Sequence, residues 1–329
     1  MRWMFRPYAR SACWEIFRGR YHNFKMKSSS LDLLFNILFL PVSFAFFLFV
    51  LLYLFIAVVS RPRPQRDFSP PEGPWPSGYL YRLLDEINFR NLFPAKNPAL
   101  EIGIETGETS DQIFENFEFL LGIERFKHFI PAFKDKTRWR YKIIGDATSL
   151  PFVSDSLINI AAISVFNNIP KEQIVNVIKE CARVLEPGGA LVFTAWGPAI
   201  LDGGLWGAFL VPLVPRKIRR ALSWWTLYKG DQYYFPLPEL KILLKESGLS
   251  IETIVGYWDN TTCRAWATVH YVFFRRSGML WLNIAAKLGW NWPRRSFMKM
   301  VNNILADERF YVTVPVERSA RLYFKVSKQ

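Results

Sequence analysis

An α/β fold, with a parallel sheet and helices on both of its faces, is the class this sequence predicts. Two observations within Gly145–Trp196 carry the prediction. First, the apolar run Leu157–Phe166 and the apolar run after Pro187-Gly188-Gly189 flank a segment of helix length, Lys171–Leu185. Apolar runs of strand length alternating with a helical pattern indicate βαβ units. Second, the stretch GDATSLPF (Gly145–Phe152) follows a short β-like run, Lys142–Ile144. That order puts Asp146 in a loop at the carboxyl end of a strand, where such sheets bind their ligands. Pro187-Gly188-Gly189 is expected to stop the helix and turn tightly into the next strand.

GDATSLPF, the strand after it and ARVLEPGGALVFTAW (Ala182–Trp196) together resemble the class I S-adenosylmethionine-dependent methyltransferases. They are closest to the small-molecule and quinone-biosynthesis type. Two motifs in order and at matching spacing are more specific than either alone, and the resemblance covers about Ala99–Trp196. It implies a Rossmann-like class I methyltransferase sheet, S-adenosylmethionine as cofactor and methyl transfer as the activity.

With 329 residues the chain is long enough for one full α/β domain and additional segments. Cys13, Cys181 and Cys263 lie far apart without a CxxC pair, which speaks against a disulfide framework or zinc site and for a reducing compartment. His22, His128 and His270 are equally scattered, so no metal centre is expected. The net charge of +14 is unevenly placed: residues 1–30 hold seven Lys/Arg against one Glu, and residues 201–329 hold 19 against nine acidic residues. Residues 101–200 hold ten Lys/Arg against 13 acidic residues. Basic flanks around an acidic middle suit an anionic membrane surface better than a nucleic-acid groove. The same distribution counts against an RNA methyltransferase.

Taken in order, residues 1–30 mix Arg and Lys with Trp3, Phe5, Tyr8, Trp14, Phe17, Tyr21 and Phe24, the composition of an interfacial segment or of a disordered basic tail. Residues 31–60 form the expected membrane-inserted helix, because Leu33–Val59 is 27 residues without a charge. At ~1.5 Å per residue such a helix crosses a bilayer core with some tilt. The Pro-rich linker 61–78 holds the following domain close to the membrane. Residues 79–329 are then one methyltransferase-like domain, with basic, Trp-rich insertions at 197–225 and 259–316. It opens with an amphipathic helix, Tyr79–Asn88, for which Ser77 is the candidate N-cap. A short helix, Ser110–Asn116, a strand, Phe117–Ile123, a helix, Pro236–Ser247, and strands Leu249–Tyr257 and Arg321–Val326 complete the reading.

The resemblance assigns the candidate cofactor site. The family's acidic-x-Gly-x-Gly-x-Gly pattern falls on Ala99–Gly107, where Glu101, Gly103 and Gly107 match and Glu105 stands in place of the middle glycine. A glutamate held at positive φ costs roughly 1–2 kcal/mol. Its charge would oppose the ligand's carboxylate and could pair with its ammonium or sulfonium. Glu124, at the end of the second strand, takes the place of the residue that accepts ribose hydroxyls. Asp146 and Ala147 match the adenine-contacting pair. Asn159 replaces the aspartate with which the family's fourth strand often begins. Ser164 opens the segment that faces the transferred methyl in relatives, and Asn167 and Asn168 are the candidates to orient a substrate oxygen there, or plain loop residues.

The leading expectation is a single-pass membrane enzyme with its catalytic domain facing the cytoplasm. It would move a methyl group to a lipid or other small lipophilic, membrane-resident acceptor, with anionic lipids as partners of its basic segments. The alternative is a membrane scaffold on a methyltransferase fold without turnover, for which Glu105 and Asn159 are the evidence.

Overall fold

The computed structural model describes residues 76–105, 107–114, 117–129, 138–203, 215–218, 220–221, 233–263 and 310–329. The basic segment 1–30, the expected membrane helix 31–60 and nearly all of the linker 61–78 lie outside the described residues. So do 204–214, 222–232 and 264–309, the greater part of the two Trp-rich insertions. Among the described residues no helix is long and apolar enough to cross a membrane.

Helix α1 (Pro76–Leu92) leads into strand β1 (Ala99–Ile102) and a short helix α2 (Glu108–Ile113). Strands β2 (Phe119–Glu124), β3 (Trp139–Ile144) and β4 (Leu157–Ala162) follow. Next come helix α3 (Lys171–Val184), strand β5 (Leu185–Trp196) and a single turn, α4 (Ile200–Gly203). Helix α5 (Leu237–Glu246) and strands β6 (Leu249–Tyr257), β7 (Thr313–Val314) and β8 (Arg321–Lys328) close the domain. Helix α1 is longer than expected, and Ser77 lies inside it rather than capping it. Pro76 opens it instead, since its ring presets the helical φ and its missing N–H falls where no intrahelical partner exists.

The eight strands lie in the order β3-β2-β1-β4-β5-β8-β6-β7. β1 to β5 are mutually parallel, whereas β8 runs antiparallel to both β5 and β6, and β7 antiparallel to β6. The sheet is therefore mixed: parallel as expected over β1 to β5, and antiparallel at β8, β6 and β7. Apolar alternation reports which face a side chain takes and carries no information about strand direction.

Helices cover both faces. Leu84 and Phe89 of α1, with Phe93 just after it, pack with Trp139, Val192, Trp196 and Tyr323 on one side. On the other, Ile174, Val177 and Ile178 of α3 and Leu240 and Leu244 of α5 pack on Leu100, Leu191, Phe193 and Phe324. Successive residues of β5 and β8 divide between the two cores, as a two-residue period requires.

Pro187-Gly188-Gly189 does not form a separate turn. The register passes from Leu157 opposite Leu185 to Asn159 opposite Ala190, so Glu186–Gly189 bulge against the single residue Ile158. Gly188 supplies the left-handed backbone at φ +81°, and a Cβ on Gly189 would lie 2.9 Å from the carbonyl oxygens of Glu186 and Ile158.

Candidate active site

The chain runs from β1 outwards through β2 and β3, then crosses to β4 on the other side of β1. The switch point is thus between β1 and β4, the place where open α/β sheets bind ligands. Residues 103–105 leave the carboxyl end of β1 there, and Gly107 precedes α2. Gly103 stands at φ +77° and Gly107 at φ +78°. A Cβ on Gly103 would come within 2.6 Å of a Val165 methyl, so only glycine lets the loop pass this close to the segment after β4. Glu105 is held at φ +41°, the left-handed conformation expected from the glycine it replaces.

Glu124 ties this loop to β2. Its Oε2 accepts the Glu105 amide at 2.9 Å and its Oε1 the Phe126 amide at 2.9 Å. A carboxylate offers about four lone-pair directions, so acceptor capacity remains for hydroxyl donors. Asp146 lies beyond β3. Its Oδ1 accepts the amide and hydroxyl of Thr148 at 2.9 and 2.8 Å, and its Oδ2 faces Arg125 Nε at 3.2 Å. Partial burial pushes the Asp146 carboxyl up, but the Thr148 donors and Arg125 outweigh it and hold the group below the ordinary aspartate value. Ala147 packs against the α3-side core.

Glu101 is not turned towards the loop. It is buried, with Oε1 accepting from the Ser110 hydroxyl and Oε2 from Trp139 Nε1 at 2.7 Å. Burial pushes its carboxyl up to about 7 despite those two donors. Its place is therefore in the support of β1, α2 and β3, away from the set formed by Gly103, Glu105, Gly107, Glu124 and Asp146.

Past β4, Ser164 adopts φ +57°. Its amide donates to Thr194 Oγ1 at 2.8 Å, its hydroxyl oxygen accepts from Arg321 Nη2 at 2.7 Å and its carbonyl from Asn168 Nδ2 at 2.9 Å. Asn167 is buried and its carbonyl accepts the Tyr233 amide at 2.6 Å. Of the two asparagines, Asn168 is thus engaged on the loop itself and Asn167 faces inwards. Asn159 is buried in β4, where its amide nitrogen donates to the carbonyls of Pro94 and Lys96 at 2.7 and 2.8 Å. An aspartate could make neither bond, so the departure from the family pattern at this position anchors the loop after α1.

Sequence reasoning missed Arg125, Asp85, Arg321 and Tyr323. Arg125 was legible as the charge directly after Glu124. Arg321 and Tyr323 were legible as polar groups two apart in one strand, hence on one face. Nothing local marks Asp85. Among the described residues no group of His, Cys, Asp and Glu is arranged to hold a metal.

A family model described as a methyltransferase domain matches residues 100–193. Malonyl-[acyl-carrier protein] O-methyltransferase 1 of Coxiella burnetii is 28% identical over 131 residues, 38% of this chain and 42% of that one. Malonyl-[acyl-carrier protein] O-methyltransferase of Methylococcus capsulatus is 31% identical over 117 residues, 34% of this chain and 42% of that one. The match thus spans less than half the length of either relative. A solved structure of a SAM-dependent methyltransferase from Thermotoga maritima, described as a possible histamine N-methyltransferase, aligns at a TM-score of 0.45 and 12% identity, covering 77% of this chain and 91% of that one. Over residues 100–193 the chain is thus similar to the methyltransferase-domain family.

Proposed function

We propose that this chain is a membrane-anchored methyltransferase that moves a methyl group from S-adenosylmethionine to a lipid or other membrane-resident small molecule. The observation that carries the reading is the junction at the switch point, where Glu124 Oε2 holds the Glu105 amide against the end of β2. When bound, S-adenosylmethionine supplies a methyl group on a sulfonium leaving group, so the protein's main task is alignment of the two reactants. The backbone of Gly103, Glu105 and Gly107 would cradle the amino-acid end, Glu124 the ribose hydroxyls, and Asp146 with Ala147 the adenine. Ser164 would face the methyl side. Arg125 fixes Asp146 and so belongs to the same unit. The residues present fit the cofactor, because the acceptors stand at the ends of adjacent strands and the loop approaches them through glycine.

The acceptor is less constrained than the donor. The matched segment 100–193 ends within β5 and contains none of the chain beyond it, so the acceptor in the relatives' names does not carry over with it. The lipid assignment comes from the uncharged run Leu33–Val59, the Pro-rich linker and the basic, Trp-rich segments 197–225 and 259–316, which would lie on the headgroups.

One observation favours a second reading, a scaffold without turnover: Glu105 occupies a left-handed position that glycine fills in the family. Calorimetric titration of the full chain in detergent with S-adenosylmethionine decides between them. Saturable binding is expected, and Asp146→Ala should weaken it by about 1–3 kcal/mol by leaving a donor unpaired. Absence of saturable binding at millimolar ligand would sink the enzyme reading. Tighter binding in Glu105→Gly would mark a decayed loop, and weaker binding a glutamate recruited to the ligand's cationic end.

A further inference from the structure

One polar cluster meets the proposed donor site only through Ser164. It lies beneath α1 at the carboxyl ends of β4 and β5. Arg321, opposite Trp196 in the β5–β8 register, is fully buried. Its Nη2 donates to Asp85 Oδ1 at 2.8 Å and to Ser164 Oγ at 2.7 Å. Tyr323, two residues on and so on the same face, donates its hydroxyl to the same Asp85 oxygen at 2.7 Å. Asp85 is only 1% exposed, and its other oxygen, Oδ2, is buried without a hydrogen-bond partner among the described residues. Aromatic rings surround the cluster. The Arg321 guanidinium lies 5.5 Å from the Trp196 ring centre and 5.6 Å from that of Tyr323. Tyr257 meets Tyr323 edge-on at 5.7 Å.

These features specify a ligand. A buried carboxylate oxygen without a donor is a cost that a ligand's O–H removes. The Asp85–Arg321 pair already balances its own charges. A ligand carboxylate would meet an Arg321 that is already engaged and be repelled by Asp85, and an ammonium would find the Asp85 charge compensated. A neutral hydroxyl satisfies Oδ2 without adding a buried charge. The Trp196, Tyr257 and Tyr323 rings beside the pair favour an apolar, aromatic ligand body over a polar one.

We propose that Asp85 Oδ2 is the subsite for the hydroxyl group of an uncharged aromatic methyl acceptor. The proposal rests on the methyltransferase reading and names the acceptor class for it. Asp85 touches the acceptor, and Arg321 and Tyr323 act through Asp85 as positioning residues, with Arg321 also fixing Ser164.

The test uses the full chain in detergent, first titrated with S-adenosylhomocysteine. The loaded protein is then titrated by calorimetry with three matched probes: 4-propylphenol, 4-propylbenzoate and 4-propylbenzylamine. The phenol is expected to bind at least about tenfold more tightly than either charged probe. In Asp85→Asn the phenol-to-benzoate preference should fall about tenfold, a ratio that a merely structural role leaves alone. Because that variant strands the Arg321 charge and can fail to fold, the wild-type preference is decisive by itself. Benzoate or amine binding as tightly as phenol, or no saturable phenol binding, overturns the proposal while leaving the donor site standing. Failure of S-adenosylhomocysteine to bind removes the methyltransferase reading and this proposal with it.

Discussion

Glu101 lies in β1 with both carboxylate oxygens turned into the protein, onto Ser110 and Trp139. Burial raises its carboxyl from an ordinary 4.5 to about 7. Between those values the folded protein holds a proton that the unfolded chain has lost. Stability contributed by this group is therefore full below about pH 4.5 and declines as pH rises towards about 7. The resolved shifts of Asp146, Glu180 and Glu252 are downward and act on the acid side of that window. Glu101→Gln should flatten the pH dependence, since an amide oxygen still accepts from Trp139 and the amide nitrogen donates to Ser110. Urea unfolding at pH 5, 6, 7 and 8 should show the wild type losing on the order of 1–3 kcal/mol across the series and the variant much less. Equal slopes would mean that Glu101 stays ionised in the fold. At this scale the sequence was readable only in part. The positive φ of Glu105 follows from the glycine pattern alone, because backbone sterics are local. The inward turn of Glu101 depends on Trp139, 38 residues away, and no local pattern reports it.

At the scale of elements, helix α3 explains why two distant sequence motifs travel together. Arg183, from the second motif, donates from Nη2 to the Leu150 carbonyl at 3.0 Å and from Nη1 to the Phe152 carbonyl at 2.9 Å, both in the first motif. Glu180, one turn earlier, pairs with Arg183 and accepts the Leu150 amide at 2.7 Å. The helix thus clamps the loop that carries Asp146. Arg183→Ala should cost about 1–2 kcal/mol in denaturant unfolding, through carbonyls left without a donor. It should also speed amide exchange across residues 146–152, whereas exposed Lys179→Ala on the same helix should do neither. Unchanged exchange in Arg183→Ala would show that the loop holds itself. Element identity was legible here for a physical reason: a 14-residue amphipathic helix and strands buried on both faces leave strong periodic signatures. Boundaries were less so. The helix expected over Ser110–Asn116 runs Glu108–Ile113, and the strand expected over Phe117–Ile123 runs Phe119–Glu124. The bulge at Glu186–Gly189 and the reversed β8 depend on what lies across the sheet, which a one-dimensional pattern does not contain.

For the whole molecule, the proposed membrane attachment rests on the distribution of charge and apolar residues. Leu33–Val59 is a run of 27 uncharged residues that precedes a Pro-rich linker. Two cores already bury the described sheet on both faces. Burying such a run in a bilayer removes apolar surface from water at about 25 cal/mol per Å², far more than the Coulomb attraction of a few basic residues to lipid headgroups. The attachment is therefore expected to be hydrophobic first and electrostatic second. A simple positive-inside count places residues 1–30 in the cytoplasm and, for one crossing, the domain outside. The proposed donor is made and kept inside cells, so the proposed topology would have the domain in the cytoplasm and the N-terminus across the membrane. A hairpin bent at Pro41 is disfavoured, because Leu33–Leu40 is too short for a second arm. Two measurements on native membranes follow. The full chain should stay in the pellet through high salt and alkaline carbonate, and release by salt alone would reduce the anchor to charge attraction. In sealed, cytoplasm-side-out vesicles, added protease should digest the domain and spare a tag at the N-terminus. A protected domain with a digested tag would reverse the orientation and leave the donor site on the wrong side of the membrane for its cofactor.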